Sequence, residues 1–252
     1  MGYVFSVTVG FATMTTKMNR TYVYGSIIRA PESPGVSGAK QLAQQLERHF
    51  SQTHGRHYQK GEVVYQPGDV DESLYYIKSG KVKLAYLDES GRKLTLTILG
   101  EGEIFGEMVL IGKGKRELMA QVLQEAFIYE IERVHFLELL RQDPELSLEV
   151  MELFGRRTRD IERKLEDLVF KDIPTRLSRQ ILQLIEEHGV ETGDGIQIDF
   201  KITHKELADL IGSARENTTS ALNRLAKEGI LDKKRYRITV KDEARLKEKS
   251  GS

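Results

Sequence analysis

Apolar positions recur along this chain with three different spacings, and each predicts a different kind of element. In AKQLAQQLERHFSQT, residues 39–53, Leu42, Leu46 and Phe50 fall four apart, as on a helix that packs along one side. From Arg56 the spacing drops to two. GEVVYQPGD (61–69), SLYYIKSGKVKLAYLDESGRKLTLTILGEGEIFGEMVLIG (73–112) and MAQVLQEAFIYEIE (119–132) are short apolar or alternating runs. Gly61, Pro67-Gly68-Asp69, Gly80, Gly91, Gly100 and Gly102 punctuate them. Closely spaced strands with turn residues between them predict an antiparallel sandwich or barrel. Within it, KVKLAYL, DESG and KLTLTIL read as a hairpin whose alternating positions are Val82, Leu84, Tyr86 and Leu94, Leu96, Ile98.

The third spacing begins at Asp143-Pro144, an N-cap residue followed by a proline suited to a first helical turn. Met151, Phe154, Thr158, Ile161, Leu165 and Leu168 then recur at intervals of three and four among Arg, Glu, Lys and Asp. A helix lying on its own domain has a wider apolar face than this. A narrow seam on a charged helix predicts self-association, with Thr158 as its polar member. In FKDIPTRLSRQILQLIEEHG, Asp172 is the expected cap and Pro174 lies in the first turn. Leu177, Ile181, Leu184 and Ile185 form the face to be buried, and Gly189 ends the helix.

GIQIDFKI then alternates as a strand, and Thr203 with Glu206 makes a capping box opening the helix HKELADLI. Gly212 breaks that helix, and Ser213 with Glu216 suggests a second capping box only ten residues on. GILDKKRYRITV reads as a strand, a basic turn and a strand. Two short capped helices joined at a glycine and flanked by strands predict a winged helix-turn-helix. In that motif the opening turns of the second helix meet base edges in the DNA major groove. Leu222 and Leu225 would hold the helix to its domain. Arg215 can donate two parallel hydrogen bonds to guanine and Glu216 can accept from cytosine. Ser213, Asn217, Thr218 and Ser220 add short polar groups, and the helix end itself favours a phosphate. Lys233, Lys234, Arg235 and Arg237 of the wing are expected on phosphates.

The length of 252 residues favours about two domains, and 39% hydrophobic with 30% charged residues is ordinary for a soluble protein. Lys+Arg and Asp+Glu balance at 38 each, which by itself argues against a nucleic-acid binder. Local charge reverses that reading, because residues 203–241 hold nine Lys/Arg against five Asp/Glu. The absence of cysteine excludes disulfides and cysteine-held iron–sulfur clusters. His49, His54 and His57 cluster at a helix end and loop without a metal-ligand spacing, so no metal is expected; His135 and His188 stand alone. The apolar run at the N-terminus lacks the basic flank of a signal peptide and is too short to span a bilayer. Residues 1–38, with the linker-like RAPESPGVSG, read as a mobile extension, and no membrane partner is expected.

The order of elements, together with YYIKSGKVKL, GEIFGEM leading to Arg116, FKDIPTRLSRQIL and IGSARENTTSALNRL, resembles the family of the cyclic-AMP receptor protein and the fumarate–nitrate reduction regulator. The resemblance covers about residues 40–241. It implies an α+β chain: a cyclic-nucleotide-binding-like antiparallel β-roll (39–142), a dimerisation helix (143–171) and a winged helix-turn-helix (172–252). It implies a cytoplasmic bacterial transcription regulator, a homodimer on a two-fold symmetric double-stranded DNA operator, touching RNA polymerase if it activates. Family correspondence places the phosphate cassette at Gly106, Glu107 and Arg116, with Glu117 where a small or hydroxyl residue belongs. A carboxylate there repels a phosphate. The adenine-contacting hydroxyls fall on Ile161 and Glu162, which carry none, and a second recognition-helix arginine falls on Ser220. Independence from cyclic AMP is therefore expected, with Gly106-Glu107 acting as a turn of the roll and the pocket left open to cyclic di-GMP or another nucleotide. The rival reading is a nucleotide-sensing module without a DNA role, which would not need the basic unit from Thr203 to Val240. No Ser/His/Asp spacing, phosphate-binding loop or HExxH supports an enzyme.

Overall fold

Two long strands organise the N-terminal half of the computed structural model, which describes residues 36–112 and 115–251. The predicted extension 1–38 lies outside the described residues except for its last three positions, which open the first helix. The elements in order are α1 (Val36–Phe50), β1 (His54–Tyr58), β2 (Val63–Tyr65), β3 (Ser73–Leu87), β4 (Lys93–Leu99), β5 (Ile104–Phe105), a 3₁₀ turn (Glu107–Leu110), β6 (Met119–Glu132) and α2 (Arg133–Gln142). There follow α3 (Pro144–Phe170), α4 (Ile173–His188), β7 (Gly189–Thr192), β8 (Gly195–Ile198), α5 (His204–Ile211), α6 (Arg215–Lys227), β9 (Leu231–Lys234), β10 (Arg237–Val240) and α7 (Glu243–Lys249). β7 and the helices α2 and α7 are additions to the elements read from the sequence.

The antiparallel order β1-β6-β3-β4, with β2 on β6 and β5 on β3, forms the roll. Tyr58, Tyr65, Tyr75, Ile77, Val82, Leu84, Leu99, Phe105, Val122 and Ile128 fill its interior. A second cluster joins Leu46 and Phe50 of α1 to Phe136 of α2 and to Leu146, Val150 and Leu153 of α3. The Asp143 side chain caps α3 by accepting from the Leu146 N–H, and Asp172 caps α4 from the Thr175 N–H. The antiparallel sheet β7-β8-β10-β9 lies with α4, α5 and α6 in the C-terminal part. Leu177, Ile181, Leu184, Leu222 and Leu225 share its core, as the periodicity predicted for these positions, and Leu207 of α5 joins them.

That core does not stop at the roll. Ile98 and Leu123 of the roll belong to it. Register pairs Val82 with Leu99 and Lys83 with Ile98, so neighbouring residues of β4 serve opposite faces. Val82 and Leu99 point into the roll, while Ile98 meets the C-terminal part. Lys81 and Lys83 are buried on this outer face. Lys81 Nζ lies 3.3 Å from His188 Nδ1 and 3.3 Å from Asp199 Oδ2. The His188 ring packs edge-on against Phe200.

His188, isolated in the sequence, is thus buried beside a lysine. Burial first, and the Lys81 charge second, hold its imidazole down at about 4. The folded state therefore binds the proton less readily than the unfolded chain does, and stability falls as pH drops from about 6.5 to about 4. A shift of this size corresponds to about 3 kcal/mol at most. The adjoining Glu187, pushed up to about 7 mainly by burial, acts in the opposite sense between its ordinary value and about 7. The His188 contribution is isolated by comparing wild type with His188→Gln in urea unfolding at pH 7.5 and pH 4.5. The variant should lose less stability on acidification, and an equal loss in both proteins would refute the assignment.

Candidate nucleic-acid interface and ligand pocket

The first helix of the C-terminal pair is opened by Thr203, whose side chain accepts from the Glu206 N–H while the Glu206 carboxylate accepts from the Thr203 N–H. Gly212 ends it in a left-handed conformation with φ 60°, and the Ser213 N–H returns to the Ala208 carbonyl. The second predicted capping box does not form. Ala214, in extended conformation, is the N-cap of α6, and no side chain caps that end. The turn occupies Ser213, so the helix starts one residue later than the box requires. The first-turn N–H groups of α6 are left without a side-chain cap, which suits a phosphate oxygen.

Arg215, Glu216, Asn217 and Ser220 are exposed on α6. Thr218 is a correction: it is fully buried and its hydroxyl donates to the Ala214 carbonyl at 3.0 Å, so it holds the helix and meets no DNA. The outer face of α6 runs on instead through Asn223, Arg224 and Lys227, all exposed and all overlooked in the sequence because they follow the polar opening turns. Their spacing of three, four and seven from Ser220 was the available signal.

The wing is the hairpin β9–β10, turned by Arg235 and Tyr236 with φ 49° and 68°. Such a two-residue turn with positive φ at both centres matches the twist of the strands and sets Arg235 at the tip. Lys233 Nζ donates to the Asn223 side-chain oxygen, joining wing to α6. His204 Nδ1 sits 2.9 Å from Thr219 Oγ1, and its pKa is lowered by burial and then by the charges of Lys233 and Arg215. Through the bond from Lys233 to Asn223 the wing packs beside the helix that Arg215 opens. Lys234 and Arg237 also have partners within the chain. Lys234 pairs with Asp232 at 2.9 Å, and Arg237 Nη1 donates to Gln197 Oε1 at 3.3 Å.

Along α3, Met151, Thr158, Ile161 and Leu165 are exposed and Phe154 is half-buried. The buried stripe of Leu146, Val150 and Leu153 lies beside this one, roughly a quarter turn round the helix. Lys164 continues the inner stripe by donating to the Thr95 and Leu96 carbonyls, 2.8 and 3.2 Å away. Leu168 also turns inward, against Gly212. Val169, exposed, continues the outer stripe in its place.

In the roll, Gly106 adopts φ 79°, and a Cβ there would meet Arg116 Nη1 at 3.0 Å and the Ser73 carbonyl at 3.1 Å. Only glycine allows this approach. Glu107 is buried and ion-paired with Arg157 of α3, whose guanidinium also donates to the Ile104 carbonyl. Arg116 is buried as well. Its Nε donates to Asp71 Oδ2 at 3.0 Å, its Nη1 to the Gly106 carbonyl at 3.0 Å, and its Nη2 to both Asp71 and the Ser73 carbonyl. The guanidinium lies 4.3 Å from the Tyr65 ring centre and 5.6 Å from that of Tyr75. Glu117 points to solvent, away from this cluster's buried side chains. Ile161 is exposed on α3, as is Glu162. Among the described residues, no group of three His, Asp or Glu side chains is arranged to hold a metal ion.

The cyclic nucleotide-binding domain family matches residues 55–143, and the Crp-like helix-turn-helix domain family matches residues 175–249. The CRP-like cAMP-activated global transcriptional regulator of Mycobacterium tuberculosis is 31% identical over 189 residues, covering 75% of this chain and 84% of that protein. The cyclic AMP receptor protein of Thermus thermophilus is 32% identical over 193 residues, covering 77% and 86%. Among solved structures, the c-di-GMP responsive global regulator of Xanthomonas campestris aligns with a TM-score of 0.70 at 27% identity, covering 79% of this chain and 98% of that one. Among the described residues no helix is long and apolar enough to cross a membrane.

Proposed function

From the membership of this chain in the Crp/Fnr family of bacterial transcription regulators, we infer a sequence-specific, homodimeric DNA-binding regulator that acts in the cytoplasm without cyclic AMP. DNA-binding transcription regulation is the family's work, and no enzymatic activity belongs to it. The observation that carries the sequence-specific reading is the exposed Arg215 on the uncapped opening of α6, with the wing held beside the same helix by the bond from Lys233 to Asn223. A helix end with an exposed arginine reads base edges, and a wing cation beside it holds the phosphate backbone.

The homodimer is supported by the exposed stripe of Met151, Ile161, Leu165 and Val169 on α3. Two such helices would bury the stripe against each other and set two recognition helices about one DNA turn apart. Independence from cyclic AMP is supported by Arg116, whose donors are already engaged within the chain, and by Ile161 and Glu162 in place of hydroxyls. The relatives named as cAMP-activated carry that property for themselves.

One experiment tests the whole reading. A random-site selection recovers the preferred duplex, and its binding is measured with and without cyclic AMP, alongside calorimetric titration of cyclic AMP into the protein. A two-fold symmetric site, bound equally in both conditions and with little titration heat, is the expected outcome. A tight stoichiometric isotherm with stronger DNA binding would defeat the ligand-independent part, and the absence of any preferred duplex would defeat the regulator reading.

A further inference from the structure

We propose that Asp71 is a built-in anion that occupies the oxyanion seat of the roll, so that the sensory pocket is closed by its own chain. The inference rests on the reading that the turn at Gly106 and Arg116 is this chain's counterpart of a nucleotide phosphate site.

The seat is assembled from groups far apart in sequence. The Asp71 carboxylate accepts from Arg116 Nε and Nη2, from the Ser73 N–H at 2.8 Å, and from the Tyr75 hydroxyl at 2.8 Å. A guanidinium, a backbone amide and a hydroxyl converging on two oxygens are what a phosphate would ask for. Burial pushes the Asp71 carboxyl up, but the hydrogen bonds from Arg116 and Tyr75 outweigh it, leaving the group below the ordinary carboxylate range. It is therefore an anion at neutral pH. Arg116 is almost fully covered, with Tyr65 and Tyr75 beside its guanidinium, whereas the Asp71 side chain keeps about a fifth of its surface open at 20%. A ligand arriving from solvent thus meets Asp71 on its way to the arginine.

The carboxylate is also held in place. The Gly68 N–H donates to the Arg116 carbonyl at 2.8 Å, and the Arg116 N–H donates to the Asp69 carbonyl at 2.9 Å. A bridge pairs Val70 with Lys115. The loop carrying Asp71 is zipped to the segment carrying Arg116, so the tethered carboxylate competes at a high effective concentration that a millimolar free anion cannot match. Electrostatics adds to this, since a second anion beside Asp71 is repelled in a partly buried site. The ligand class that fits once the carboxylate is gone is a small oxyanion, or the cyclic phosphate of a nucleotide.

The test uses the full chain in three forms: wild type, Asp71→Ala, and Asp71→Ala with Arg116→Gln. Inorganic phosphate and cyclic AMP are the probes, followed by calorimetry and by shift of the unfolding temperature. Wild type should show no saturable binding up to millimolar probe. Asp71→Ala should bind at least one probe ten-fold or more tightly than wild type, and the added Arg116→Gln should abolish the gain. Asp71→Asn, nearly isosteric and uncharged, serves if the alanine variant does not fold, and should show a smaller gain of the same kind. A folded Asp71 variant as silent as wild type, or a gain that survives Arg116→Gln, overturns the proposal while leaving ligand-independent DNA binding intact. Tight, stoichiometric binding of cyclic AMP by wild type overturns both.

Discussion

Replacing Arg215 with alanine is expected to erase preference at one symmetric pair of operator positions, whereas Arg235→Ala should weaken all sequences alike. The two residues carry the same charge and differ in place. Arg215 is exposed on the first turn of α6, the end that carries no side-chain cap. Arg235 is exposed at the tip of the wing hairpin. A bidentate contact to guanine is worth about 1–3 kcal/mol of discrimination in each half-site. A phosphate contact discriminates nothing and acts by counterion release, so its loss flattens the dependence of affinity on salt. Binding of both variants to operators altered one base pair at a time, at two salt concentrations, separates the outcomes. Uniform weakening by Arg215→Ala with every base preference intact would remove α6 from the role of recognition helix.

Placing aspartate at both Ile161 and Leu165 should turn the protein into a folded monomer that has lost about a thousand-fold or more in specific DNA affinity. Both side chains are more than half exposed, at 52% and 61%, so the substitutions create no cavity in the chain's own core. In a dimer the same positions face an apolar partner helix, where four buried carboxylates would repel one another and lack partners. Without the partner, one recognition helix must hold a half-site alone. Sedimentation gives the oligomeric state, and unfolding in urea verifies that the variant is folded. Wild-type protein found monomeric at micromolar concentration while binding its operator fully would sink the dimer reading.

The features legible in the sequence are those whose partners lie within one helical turn or one hairpin. The caps at Asp143, Asp172 and Thr203 were readable because donor and acceptor are three residues apart. The wing was readable from a basic turn between two short strands. The failed box at Ser213 and Glu216 had the same spacing, yet the chain leaving Gly212 uses Ser213 in the turn and begins the helix after Ala214. That shift sends Thr218 into the core and leaves Ser220, Asn223 and Lys227 outside.

What only the tertiary structure decided is which surfaces face another layer and which distant side chains meet. Alternation in KVKLAYL and KLTLTIL shows two faces but cannot say that the outer one, with Lys83 and Ile98, is covered by the C-terminal part. A seam spaced by three and four fits either Leu168 or Val169, and only packing against Gly212 turns Leu168 inward. Arg116 announces an anion by its chemistry, but Asp71, 45 residues earlier in the chain, is brought to it by backbone bonds between the loop at Gly68–Val70 and Lys115–Arg116. Period reports the local geometry of the backbone, which each residue sets with its near neighbours. Burial and charge pairing depend on contacts between residues tens of positions apart, and no local spacing encodes which of them the fold will join.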